Sequence, residues 1–148
     1  MAQKDSETTV GDYMSTRMFT MEWKDSVMDV AKRMIERNIS SIAITDDRGR
    51  IIGILTERDV VKIAANGVPP GGITAGSLMS YPVLSIEKRS TVKDAARVMA
   101  QQKLRHLLVE DASNQELVGI ITVTDLARYL KKNLADEELA ASEVWELF

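Results

Sequence analysis

The chain has 148 residues, 45% of them apolar and 28% charged, which is the size of one ordinary domain or of two small units sharing a core, and the composition of a soluble globular protein. Nineteen basic against 22 acidic residues leave a net charge of −3, a balance that argues against binding to a nucleic-acid backbone. The absence of cysteine excludes disulfide frameworks, thiolate metal sites and cysteine nucleophiles.

From the N-terminus, "MAQKDSETTV" is polar and lacks the apolar core of a signal peptide, so residues 1–8 are expected to be a flexible extension. No apolar run approaches the roughly 20 residues needed to cross a bilayer, which predicts a cytoplasmic protein without a membrane partner. A lead-in, "TVGDYMS" (9–15), precedes a short extended piece, "MFTM". An amphipathic helix follows, with Val27, Val30, Ala31, Met34 and Ile35 recurring at i, i+3, i+4, i+7 and i+8. Two strands, "SIAIT" and "IIGIL", flank the turn "DDRG", and a second helix begins at Thr56 and ends at Ala65. "NGVPPGGI" (66–73) is a linker whose Pro and Gly residues can continue neither element.

The series then starts again. "TAGSLMS" (74–80) repeats the lead-in 65 positions on, "VLSI" repeats the extended piece, and Val92, Ala95, Ala96, Met99 and Ala100 repeat the helical stripe. "HLLVE" and "LVGII" flank "DASNQ", and "GIITVTDLA" (119–127) echoes "GILTERDVV" (53–61) at an offset of 66. One register held this long is an internal duplication. The unit reads strand, helix, strand, strand, helix, an α/β (α+β) arrangement. About 60 residues bury too little apolar surface to stand comfortably alone, so two copies, 9–65 and 74–132, are expected to pack through their sheets as a pseudo-twofold pair. The tail, "NLADEELAASEVWELF" (133–148), lies outside the repeat. Leu134, Ala141, Trp145 and Phe148 fall on one stripe of an expected amphipathic helix, which either docks on its own domain or forms a partner or self-association surface.

The echoed phrase admits two readings. Thr56-x-x-Asp59 and Thr122-x-x-Asp125 have the spacing of a capping box, and Ser26-x-x-Asp29 and Thr91-x-x-Asp94 open the other helices with the same spacing and no hint of a ligand. What sets the first two apart is that a Gly-initiated apolar strand runs straight into the helix. Backbone N–H groups and the positive end of the helix dipole then converge at the strand's carboxyl end, a setting suited to phosphate, where an aspartate can accept both hydroxyls of a ribose.

The lead-in Gly-x-x-Met-Ser, the amphipathic first helix and Gly-Ile-hydrophobic-Thr-x-x-Asp, all present in order in both halves, resemble the cystathionine-β-synthase (CBS) domain in its paired form, the Bateman module. The resemblance covers residues 9–132 and implies a stand-alone pair. It implies a regulatory module that takes an adenosine compound (AMP, ADP, ATP or S-adenosylmethionine) in clefts between the repeats and signals to an unidentified partner protein. Asp59 and Asp125 would hold ribose hydroxyls, and Thr56 and Thr122 would contact ribose or phosphate. Asp59 would face Pro82, Val83 and Leu84; Asp125 would face Arg17, Met18 and Phe19.

The positions before the second strand hold Arg105 and His106 in one copy and Ser40 and Ser41 in the other. If these side chains cross over as in the AMP-activated kinase regulatory subunit, the Asp59 cleft gains the Arg and His and becomes the tighter site, while Arg58 points toward the Asp125 cleft. The plainer alternative makes Arg105, His106 and Arg58 surface or structural groups. Thr9 and Thr74 either line a cleft or cap a helix. The resemblance also implies a homodimer, a flat four-repeat disc.

Magnesium would enter only with ATP, because no carboxylate cluster has metal-ligand spacing. No Walker A loop, His-Glu-x-x-His, Gly-x-Ser-x-Gly or dinucleotide fingerprint occurs, so no catalytic residue is expected. The competing reading is a protein-interaction adaptor whose clefts are empty and whose capping boxes are purely structural.

Overall fold

The computed structural model describes residues 7–133; the tail helix expected over 133–148 lies, beyond Asn133, outside the described residues. After a one-turn helix, α1 (Val10–Tyr13), the first copy forms β1 (Thr20–Glu22), α2 (Val27–Arg37), β2 (Ser41–Thr45), β3 (Ile51–Thr56) and α3 (Glu57–Ala65). A 3-10 turn, Pro70–Gly72, and a second one-turn helix, α4 (Ala75–Leu78), follow. The second copy forms β4 (Ser85–Glu87), α5 (Val92–Gln102), β5 (His106–Asp111), β6 (Glu116–Thr122) and α6 (Val123–Asn133). The strand, helix, strand, strand, helix order is thus realised twice in an α+β fold.

Each copy makes a three-stranded sheet, ordered β1-β2-β3 and β4-β5-β6. β1 runs parallel to β2 because α2 carries the chain back across the sheet, and a hairpin makes β2 and β3 antiparallel; β4, β5 and β6 repeat this. Of the helical stripe read from sequence, Val27, Val30 and Met34 on α2 and Val92, Ala95 and Met99 on α5 are buried, Ala31, Ala96 and Ala100 are half-buried, and Ile35, at the edge of the stripe, faces solvent at 84% exposure. Ser26 accepts the Asp29 N–H at the start of α2, and Asn38 ends that helix in the left-handed conformation at φ 51°.

The compact units do not follow the sequence copies. Among the described residues, one unit comprises residues 18–83, and the other combines residues 7–17 with 84–133. The first lead-in therefore belongs to the second copy's core, where Val10, fully buried, packs with Val92, Ala95, Met99, Leu107 and Ile121. The second lead-in returns the exchange, placing Ala75 among Val27, Val30, Ile42, Ile44 and Leu55.

Backbone hydrogen bonds fix each seat at equivalent points. Val10 and Gly11 donate to the carbonyls of Ser90 and Lys88, and Ala75 and Gly76 donate to those of Asp25 and Trp23. The last lead-in residue then pairs with the doubled strand: Ser15 and Ile120 exchange two bonds (2.8 and 2.9 Å), as do Ser80 and Ile54 (2.9 and 3.1 Å).

This pairing explains the glycine that opens the doubled phrase. A Cβ on Gly53 would fall on the Met79 side chain, 2.7 Å from Cγ, and a Cβ on Gly119 would lie 2.7 Å from the Ser15 carbonyl oxygen and 2.8 Å from Met14 Sδ. The methionine of each Gly-x-x-Met-Ser lies where the other copy's phrase omits a side chain.

Aspartates brace the two hairpin turns. Asp46 accepts the Arg48 and Arg50 N–H groups and Arg50 Nε, each at 2.9 Å. Asp111 accepts Lys88 Nζ at 2.8 Å and the Ser113 N–H and hydroxyl at 3.0 and 2.7 Å. Hydrogen bonding to Lys88 and Ser113 holds the Asp111 carboxyl far below its usual value of 3.8, and that of Asp46 is lowered chiefly by the Arg50 N–H.

Two outcomes follow from this packing. Gly119→Ala should destabilise by about 2 kcal/mol and Gly53→Ala by about 1 kcal/mol, because a backbone carbonyl cannot yield where a thioether can; urea midpoints measure the difference. The lowered carboxyls bind fewer protons in the folded chain than in the unfolded one, so the stability they contribute is present above about pH 4 and is lost as pH falls below it. Asp111→Asn should flatten that acid limb in denaturation curves recorded from pH 6 to 2.

Candidate ligand-binding site

The Thr-Asp corners form where β3 enters α3 and β6 enters α6. Thr56 is the N-cap of α3, with its N–H and hydroxyl donating to Asp59 Oδ2 at 2.9 and 3.0 Å, while the Asp59 N–H donates back to Thr56 Oγ1 at 3.4 Å. At the second corner, Thr122 donates from N and Oγ1 to Asp125 Oδ2 at 2.8 and 3.2 Å, and the Asp125 N–H returns to Thr122 Oγ1 at 3.4 Å. Both aspartates therefore cap their helices, as the plainer reading expects. Each does so with a single carboxylate oxygen.

The second oxygens differ. Asp59 Oδ1 accepts no hydrogen bond among the described residues, and Lys62, one turn on, is exposed and unpaired there. Asp125 is buried, at 8% exposure, and its Oδ1 accepts Arg128 Nη2 at 2.7 Å. The same nitrogen reaches the Tyr13 carbonyl at 3.1 Å, and the guanidinium lies 5.6 Å from the centre of the Tyr13 ring. Tyr13 in turn meets Tyr129 edge to face, with centroids 5.5 Å apart. The sequence reading passed over Arg128 and Tyr13. The signal for them was present: at the same offsets, Lys62 stands in place of Arg128 and Leu78 in place of Tyr13.

Register sets the residues before the second strands beside these corners. Ser41 pairs with Thr56, and the Ser40 carbonyl accepts the Glu57 N–H at 3.0 Å; His106 pairs with Thr122, and the Arg105 carbonyl accepts the Val123 N–H at 3.1 Å. The His106 imidazole is pushed below 6.5, first by burial and then by the Arg105 charge, so it is neutral at pH 7. Arg58 and Arg105 are exposed, and neither forms an ion pair among the described residues.

The expected wall residues divide between the units. Pro82, exposed, and Val83, half-buried, share a unit with Asp59, while Leu84, 48% exposed, begins the other. Arg17 shares a unit with Asp125; Met18 and Phe19 do not. Phe19 packs against the first copy's core with the Arg37 guanidinium 5.5 Å from its ring centre. Thr74 caps α4, accepting the Ser77 N–H at 3.3 Å, and its backbone bridges Ser26. Thr9 bonds Asp12 and bridges Thr91. No helix among the described residues is long and apolar enough to cross a membrane.

Comparison with known proteins agrees with this architecture. The CBS domain model matches residues 10–66 and 75–132. Hypoxic response protein 1 of Mycobacterium tuberculosis is 31% identical over 127 residues, spanning 85% of this chain and 87% of its own. The CBS domain pair of protein MJ0100, solved in complex with 5'-methylthioadenosine and S-adenosyl-L-methionine, matches with a TM-score of 0.77 at 28% identity, covering 86% of this chain and 98% of that one. CBSX2, solved in complex with AMP, matches with a TM-score of 0.72 at 26% identity over 84% of this chain and 97% of its own. With both repeats matched across most of its length and the sheets and caps in place, the chain belongs to the CBS-domain family and carries two CBS domains.

Proposed function

We propose that this protein is a regulatory sensor that binds an adenosine-containing compound at its Thr-Asp corners and passes the bound state to a partner protein. The observation that carries the reading is the half-used carboxylate. Capping consumes Oδ2 of Asp59, while Oδ1, at the positive end of a nine-residue helix, is left to accept a ribose hydroxyl. The ligands held by the MJ0100 pair and by CBSX2 share an adenosine moiety and differ beyond it, which supports recognition centred on the nucleoside.

In this reading Asp59 and Asp125 grip ribose, with Thr56 and Thr122 beside them. Arg58, Arg105 and His106 supply phosphate contacts, Ser40 and Ser41 supply neutral ones, and the segments around Arg17–Phe19 and Pro82–Leu84 wall the base. AMP, ADP, ATP and S-adenosylmethionine are the candidates, with magnesium accompanying ATP. A sensor returns its ligand unchanged, and the ligand shifts a conformational equilibrium only by its difference in affinity for the two states.

A second reading, an adaptor acting through protein contacts, is favoured by one feature. Ile35 is 84% exposed and Val61 64% exposed on the helices of the first copy, where the second has Ala100 and Ala127. Homodimerisation through outer helices is the form the family suggests.

Saturating ligand separates the readings. At about 100 times its dissociation constant, a bound nucleotide should add about 2.7 kcal/mol and raise the melting temperature by roughly 5 to 10 °C. Asp59→Ala and Asp125→Ala should each remove one site in calorimetric titrations with AMP or S-adenosylmethionine. A shift that survives the double variant would show that the aspartates do not hold the ribose, and no shift with any adenosine compound would favour the adaptor.

A further inference from the structure

We propose that Arg128 is a built-in latch on the second corner. It occupies the oxygen of Asp125 that a sugar hydroxyl would need, so that the two corners have unequal affinities and the Asp125 corner binds only by displacing its own arginine. The inference rests on the ribose reading above and adds to it which corner is open and what closes the other.

Three contacts converge on the guanidinium: the charge-assisted bond to Asp125 Oδ1 at 2.7 Å, the bond to the Tyr13 carbonyl at 3.1 Å, and the face of the Tyr13 ring at 5.6 Å. An exposed arginine pairing with a carboxylate at i+3 ordinarily contributes little, because water competes for both ends. Here the carboxylate is buried, and Tyr13 is fixed by Tyr129 and by the seat of the first lead-in, so the guanidinium is held at both ends. A hydroxyl approaching Asp125 Oδ1 must part a charged pair, whereas at Asp59 Oδ1 it meets an oxygen with no protein partner among the described residues.

The first corner lacks both groups that hold the latch. Lys62 stands at the position of Arg128 and forms no ion pair among the described residues, and Leu78 stands where Tyr13 offers its ring. An ammonium has no planar face to lay on a ring and is more strongly hydrated than a guanidinium, so Lys62 is the weaker group for such a hold.

Adenosine is the decisive probe, because it has the sugar but no phosphate, so loss of the Arg128 charge does not confuse the result. Titrations use the full chain carrying Asp59→Ala, or Asp59→Asn should the alanine variant fold poorly, so that only the Asp125 corner remains. Adding Arg128→Met, which keeps an unbranched stem without the guanidinium, should tighten adenosine binding about tenfold, and Arg128→Lys should fall between. Unchanged or weaker binding in the Arg128→Met chain, with that binding abolished by Asp125→Ala, overturns the latch and leaves the ribose reading standing. Adenosine binding that persists after Asp125→Ala, or none in any variant, overturns the ribose reading and the latch together.

Discussion

Everything else in this molecule depends on the close approach of each lead-in to the doubled strand of the other copy. Met79 lies over Gly53 and Met14 over Gly119, with Ser80 and Ser15 bonded both ways to Ile54 and Ile120. Those bonds fall two residues before Thr56 and Thr122, so they hold the ends of β3 and β6 where the caps must form. A side chain at Gly119 would press the Ser15 backbone away from its strand, and one at Gly53 would push the Met79 side chain out of its seat. The doubled phrase is therefore the receiving half of a joint, with Gly-x-x-Met-Ser as the inserted half.

On that frame, local and functional chemistry share residues. A capping aspartate needs one oxygen and has two, so a helix start can be a structural cap and a hydroxyl acceptor together. Three of the aspartates at capping spacing show the range of this arrangement. Asp94 adds a bond to Arg97 at 3.0 Å, with about half its side chain in water. Asp125 is buried and gripped by Arg128, and Asp59 keeps its second oxygen open.

Much of this was legible in the residues. The strand at "SIAIT" runs over Ser41–Thr45 as read, and α3 ends at Ala65 where the Pro-Gly linker requires it, because alternation and helix breakers act locally. The first strands were read about two residues early, since a four-residue extended piece carries no period to fix its phase. The exchange of lead-ins was not legible. A one-turn helix has too few residues to show which apolar face receives it, and Val10 or Ala75 would suit either core. Arg128 escaped for a different reason: at i+3 from Asp125 it looks like any surface pair, and its second anchor, Tyr13, lies 115 positions upstream.

The crossed lead-ins leave neither repeat complete by itself. A solitary copy would have had no segment to fill the hollow above its own glycine, since each hollow is filled by a methionine from elsewhere. Two repeats made as separate chains would have to trade their first turns, a mutual domain swap, to fill both hollows. The Pro-Gly connector makes that trade intramolecular, so closing the two cores does not depend on protein concentration.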